Sequence, residues 1–268
     1  MNRIERQFKL LREGRRKGFI PFVTAGDPDL ASSLEVCLKL ADLGADVIEL
    51  GVPFSDPMAD GPTIQRSSQR ALENGVTLPD VLHLAADFRR RSEVPVVLFS
   101  YFNPIMRMGC DRFAKSARDA GVDGLLLTDV IDSEAAAISR KLAQNDLDLI
   151  SLVAPTSTNE RLSAIAKNAR GFVYAVSRAG VTGTQGRVSD EAKKLVVRMR
   201  EFTELPIAVG FGISTAEQIR DVWRFADAAV VGSAIVSQIE RHPNEAVDAV
   251  GQFVRGLLPR FANQGAET

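Results

Sequence analysis

The stretch IELGVPFSDPMADGP, Ile48 to Pro62, places Glu49 inside an apolar run and then Asp56 and Asp60 among prolines and glycines. Short apolar runs of this kind read as buried strands of a parallel sheet, which are ordinarily hydrocarbon throughout. A carboxyl group set there is desolvated; its charged form is penalised and its pKa rises, which suits a general acid working near neutrality. Strand side chains alternate, so Glu49 faces away from Ile48 and Leu50, either into a barrel mouth or outward to helices. A structural ion pair with an Arg or Lys is the competing reading. Asp60 has good turn chemistry by itself, since ADGP favours a tight loop, but it follows directly on an acid-bearing strand end. Asp56, before Pro57, reads as a turn former or a partner contact.

Other chemistries are thinly supplied. Only His83 and His242 are present, one in a helical pattern and one in the polar turn ERHPNE, which argues against a histidine triad or a multi-histidine metal site. Cys37 and Cys110 lack the close spacing of a zinc or redox pair. Proton transfer therefore falls to carboxylates or to the two tyrosines, Tyr101 and Tyr174. With 33 basic and 34 acidic residues there is no global field for nucleic acid or an anionic membrane, so an anionic ligand must be captured locally. No stretch is apolar enough to span a bilayer, and MNRIERQFKLLREGRRKG lacks a signal core; a soluble cytoplasmic protein is expected. Within residues 1–17, Ile4, Phe8 and Leu11 form one stripe of an amphipathic helix that caps a larger core.

The elements that must hold these residues alternate along the 268-residue chain. Strands are predicted at Phe19 to Ala25, Asp46 to Leu50, Pro95 to Ser100, Gly124 to Asp129, Leu147 to Val153, Gly171 to Ser177, Pro206 to Phe211 and Ala228 to Ser233, with amphipathic segments between them. ADLGADVIELG, ARDAGVDGLLLTD and WRFADAAVVGS echo one another: each ends a helix, passes an aspartate and enters an apolar strand. Eight such units match a single α/β domain, a (β/α)8 barrel over 1–268 with an extra N-terminal helix and a flexible tail at 260–268. A doubly wound sheet is the rival, but the turn after the first strand reads TAGDPD, without its glycine fingerprint.

In a barrel the site forms at the C-terminal ends of the strands. AVGFGIS and VVGSAIV each put glycine at a strand exit ahead of a helix, making Gly212, Gly232 and Ser233 candidates for holding phosphate through backbone N–H groups. The sixth loop, Ser177 to Glu191, is long and glycine-rich, as a lid would be; its Arg178 and Arg187 either meet phosphate or stay in solvent. Tyr174 lies in the sixth strand and Tyr101 at the exit of the third.

FIPFVTAGDPD, DVIELGVPFSDPMADGPTIQ, YAVSRAGVTG, PIAVGFGIS and DAAVVGSAIV resemble, in the same order, motifs of the tryptophan synthase alpha subunit family over nearly the whole chain. The resemblance implies a carbon–carbon lyase of tryptophan biosynthesis that splits indole-3-glycerol phosphate into indole and glyceraldehyde 3-phosphate by a retro-aldol reaction. It implies no cofactor on this chain, and a β-subunit partner that holds pyridoxal phosphate, receives indole through a tunnel and completes an α2β2 heterotetramer. Position by position, it implies proton transfer by Glu49 and recognition of the ring N–H by Asp60. Gly183, Gly212, Gly232 and Ser233 match the phosphate site; Phe22, Tyr101, Tyr174 and Phe211 match the indole pocket; Thr182 matches a lid threonine. Two departures stand out. TDVIDSE keeps Asp129 but lacks two prolines usual in the family, which predicts a looser loop and bears on the strength of β-subunit docking. Met108 replaces a commonly aromatic residue. The alternatives are a free-standing indole-releasing lyase, another phosphosugar barrel, and a barrel that binds a phosphorylated ligand without turnover.

Overall fold

The apolar runs form eight parallel strands: β1 Gly18–Thr24, β2 Ile48–Gly51, β3 Val96–Ser100, β4 Gly124–Leu127, β5 Asp148–Val153, β6 Val173–Val176, β7 Ile207–Gly210 and β8 Ala228–Val231. These ends differ from the sequence reading by a residue or two, as boundaries do. Each strand pairs with the next, and β8 returns to β1 with Ala228 opposite Gly18, closing the barrel. The fold is a computed structural model that describes residues 1–130, 132–176, 190–210 and 212–258. Arg178, Thr182, Gly183 and Arg187 of the expected lid, Phe211, and the tail at 260–268 lie outside the described residues.

The helices are α1 Arg3–Glu13, α2 Leu30–Asp42, α3 Pro62–Glu73, α4 Leu78–Arg89, α5 Phe102–Met108, α6 Cys110–Asp119, α7 Asp132–Ala143, α8 Asn159–Asn168, α9 Asp190–Arg200, α10 Ala216–Trp223, α11 Ser233–Arg241 and α12 Ala246–Leu257. Among the described residues four of these are additional to one helix after each strand: α1, and one member of each of the pairs α3 and α4, α5 and α6, α11 and α12. No helix among the described residues is long and apolar enough to cross a membrane.

Two cores follow from strand alternation. Outward residues such as Ile48, Leu50, Leu98 and Leu125 pack under the helices. Inward residues, among them Ile20, Val47, Val97, Leu126 and Phe172, fill the barrel together with Ile4, Phe8 and Leu11 of α1. The expected apolar stripe of α1 is thus a plug in the barrel's foot, with the Phe8 and Phe172 rings 5.5 Å apart. Burying each of its three large side chains stabilises the fold by roughly 2 kcal/mol.

The polar side of α1 is tied to the strand starts. Asn2 caps the helix by accepting from the Glu5 N–H at 2.9 Å, and its Nδ2 donates to Asp148 Oδ2 at 2.5 Å. Arg3 Nη1 donates to Asp123 Oδ1 at 3.2 Å, and Gln7 Nε2 to Asp46 Oδ1 at 2.7 Å. The three echoed aspartates share one task at the barrel's foot. Asp46, before β2, accepts the Phe19 N–H of β1 at 2.8 Å; Asp123, before β4, accepts that of Val96 in β3 at 2.9 Å; Asp227, before β8, accepts that of Ile207 in β7 at 2.8 Å. Each carboxylate satisfies an amide at the start of the preceding strand.

Candidate active site

Glu49 sits two residues beyond Val47, and Val47 points into the barrel while Ile48 and Leu50 point out to the helices. Glu49 therefore faces inward, between Phe22 of β1 and Val97 of β3 in register. Of the two orientations open in the sequence, the mouth is the one adopted. The residue is 1% exposed, and its Oε1 has no hydrogen-bond partner among the described residues. Burial without a compensating cation pushes its pKa up to about 8. The structural ion pair is absent here: no Arg or Lys among the described residues is bonded to this carboxyl group.

Small residues make room around it. A Cβ on Gly51, the next inward position of β2, would stand 2.5 Å from Phe22 Cζ, so glycine lets that ring lie across the strand end. Phe22 meets Phe99 of β3 edge to face, with centroids 5.4 Å apart. On the far wall a Cβ on Gly210 would stand 2.2 Å from the Tyr174 hydroxyl, so β7 yields space to that phenol. Tyr174 is buried, and burial together with the proximity of Glu49 raises its pKa well above the usual tyrosine value. It remains a neutral wall of the cavity.

Asp60 lies on the loop between β2 and α3, half buried. Tyr101, immediately after β3, donates its hydroxyl proton to Asp60 Oδ2 at 3.1 Å and accepts the Ala59 N–H at 2.8 Å. The Phe54 ring stacks on Tyr101 at 4.9 Å, which fixes the phenol. Partial burial pushes Asp60 up to about 6, and the Tyr101 hydrogen bond opposes that rise. Tyr101 is itself pushed up to about 12 by burial and by the adjacent carboxylate, so it stays a donor. Near neutrality Glu49 is mostly protonated and Asp60 mostly ionised, two acids at one end of the barrel in opposite states.

The glycine exits are also in place. Gly212 follows β7 in a left-handed conformation, φ 76°, where glycine is favoured. Gly232 caps α11, whose first residue is the exposed Ser233. An added Cβ on Gly232 would lie 3.4 Å from Phe22 Cβ, so the start of α11 adjoins the wall that flanks Glu49. Asp56 is exposed and accepts from Ser55 Oγ at 2.6 Å, as a turn former does. Asp129 accepts the Phe102 N–H at 2.8 Å and so anchors the start of α5, while Met108 packs partly buried against the outer core. The Phe54 stack had no sequence signal beyond an aromatic in the right loop.

Fold and site together define a (β/α)8 barrel with an acid and a carboxylate held apart in protonation state at its C-terminal mouth. Residues 8–257 match the family model described as tryptophan synthase alpha chain. A tryptophan synthase alpha chain from Citrifermentans bemidjiense is 50% identical over 258 residues, 96% of this chain and 97% of that protein. One from Geobacter sulfurreducens is 50% identical over 264 residues, covering 98% and 100%. The crystal structure of the alpha subunit from Legionella pneumophila superposes with a TM-score of 0.90 at 37% identity, covering 98% of this chain and 99% of that one. The chain belongs to the tryptophan synthase alpha chain family. Its activity is that family's lyase reaction on indole-3-glycerol phosphate in tryptophan biosynthesis.

Proposed function

We propose that Glu49 and Asp60 divide the retro-aldol cleavage of indole-3-glycerol phosphate between them. Glu49 in its acid form delivers a proton to ring C3, and positive charge develops toward the ring nitrogen. Asp60, ionised, accepts the ring N–H and stabilises that charge more than the neutral ground state. The Glu49 carboxylate then takes the proton of the side-chain hydroxyl next to C3. The O–H electrons become the aldehyde C=O, the bond from C3 to the chain breaks, and its electrons return the ring to indole. Glu49 ends as it began, protonated.

The observation that carries this reading is the inward, buried carboxyl of Glu49, whose Oε1 has no partner among the described residues. A phosphate group at Gly212, Gly232 and Ser233 anchors the other end of the substrate; Gly183, which the family resemblance adds there, lies outside the described residues. Phe22, Tyr101 and Tyr174 line the ring; Phe211 and Thr182, which the family resemblance adds to the site, lie outside the described residues. Glu49 carries both proton transfers and Asp60 steadies the charge, so the chemistry asks for no cofactor on this chain.

The family partners with a β subunit, and we place this chain in an α2β2 heterotetramer whose pyridoxal phosphate belongs to the β partner. Met58, beside Asp60, is 93% exposed and Met106 on α5 is 57% exposed, apolar surface at the mouth that a partner would cover. Indole release from indole-3-glycerol phosphate tests the reading. Wild type is expected to turn over, and faster with the β subunit present. Glu49→Gln is expected to lose roughly 100- to 10,000-fold in kcat while still binding indole-3-propanol phosphate. A fully active variant would remove Glu49 from the mechanism.

A further inference from the structure

One face of α3 presents Arg66, Ser67 and Arg70, with Asn74 at its C-cap, and each reaches to another segment. Ser67 Oγ donates to Asp27 Oδ2 at 2.6 Å. Arg70 grips the same carboxylate with two parallel bonds, Nε to Oδ1 and Nη2 to Oδ2, both at 2.8 Å. Asp27 stands on the turn after β1 and is 1% exposed. Asn74 Nδ2 donates to the Pro28 carbonyl of that turn at 2.5 Å. The third guanidinium nitrogen of Arg70, Nη1, crosses to Glu240 Oε1 on α11 at 2.9 Å, and Arg66 bonds Glu240 at 2.6 and 2.8 Å.

Three segments thus meet on one guanidinium, and two of them run straight into the site. α3 starts at Pro62, just after Asp60, and Gln65 Nε2 donates to the Asp60 carbonyl at 2.9 Å, so loop and helix form one piece. α11 starts at Ser233, directly after Gly232. A planar guanidinium with its donors in fixed directions holds both carboxylates at once, and an ammonium does not.

We propose that Arg70 is a positioning residue that sets the separation between Asp60 and the Gly232–Ser233 end of the site, and so selects the length of the carbon chain joining ring to phosphate. The inference rests on the assignment of ring and phosphate ends given above. Arg70 itself touches no substrate atom; it acts through α3 and α11.

The test uses indole-3-ethanol, indole-3-propanol and indole-3-butanol phosphates, which differ by one methylene each, with Kd measured by calorimetry for wild type, Arg70→Lys and Glu240→Gln. Wild type is expected to prefer the three-carbon compound by about tenfold or more over either neighbour, the scale of a misplaced methylene. In Arg70→Lys that preference flattens to about threefold or less, and kcat for indole-3-glycerol phosphate falls by more than KM rises, as displaced reacting groups require. Glu240→Gln, which removes the charge and one acceptor oxygen from the link to α11 and leaves Asp27 alone, shows the same flattening to a smaller degree. Should Arg70→Lys fail to fold, Glu240→Gln decides alone. Unchanged length preference in the folded variants overturns the proposal, and so does equal weakening toward all three compounds, the mark of a merely structural arginine. A wild type that neither cleaves the substrate nor binds the three-carbon phosphate would instead overturn the site assignment itself.

Discussion

The two ends of this barrel treat buried carboxylates in opposite ways. At the foot, Asp123 accepts from the Val96 N–H, Arg89 and Arg3, and Asp148 accepts from Asn2 and Arg170. Burial pushes both pKa values up, and these bonds and cations oppose the rise. At the mouth, Glu49 has the same burial and no cation or donor among the described residues to oppose it, while Asp60 has one phenol. Depth of burial does not distinguish Glu49 from Asp123 and Asp148, since all three are almost fully enclosed. Partners do: donors hold the foot carboxylates as ionic rivets, and their absence leaves the mouth carboxyl ready to give up a proton.

The contrast is broken most severely at Asp123. Asp123→Ala strands Arg89 and the Val96 N–H and is expected to cost about 4 kcal/mol of stability, read as a lower urea midpoint, with kcat per folded molecule near wild type. Glu49→Gln should do the reverse. Its folded pKa of about 8 lies above the usual carboxyl value, so the wild type holds a proton on folding that the unfolded chain lacks, and its stability is lost as pH rises through that window. Relative to Glu49→Gln, wild type is expected to lose about 1.4 kcal/mol per pH unit, or about 3 kcal/mol between about pH 6 and pH 8, in matched denaturant titrations. A variant less stable than wild type at alkaline pH would mean that Glu49 has a hidden partner.

Smaller effects sharpen the picture. Activity needs Asp60 charged and Glu49 protonated, so kcat/KM is expected to rise through about pH 6 and fall through about pH 8. Reversed assignments, with Glu49 setting the acid limb, would show as a loss of that limb in Glu49→Gln. Tyr101→Phe keeps the ring against Phe54 but removes the donor to Asp60, which should move the acid limb to higher pH and lower kcat/KM near neutrality a few-fold, the worth of roughly 1 kcal/mol for one hydrogen bond.

Much of this was legible in the sequence because period and composition report directly on local environment. Eight apolar runs between amphipathic segments specify the barrel, and an acid inside such a run marks Glu49. Its direction was not legible: alternation gives two choices, and only register against β1 and β3 selects the inner one. The repeated aspartate ahead of a strand was visible in three places, but its task depends on which strand lies beside it, a matter of topology. Arg70 was silent for the same reason. Nothing along the chain says that Asp27 and Glu240, far apart in sequence, arrive on either side of one helix.

The plug formed by α1 bears on the order in which the molecule is built. Its first turn needs Asp123 and Asp148, and Phe8 needs Phe172, so this helix, made ahead of the strands, finds its seat only after most of them have been synthesised. Helix α1 is therefore fitted late at that end, and the growing barrel must carry its lower rim uncovered until then.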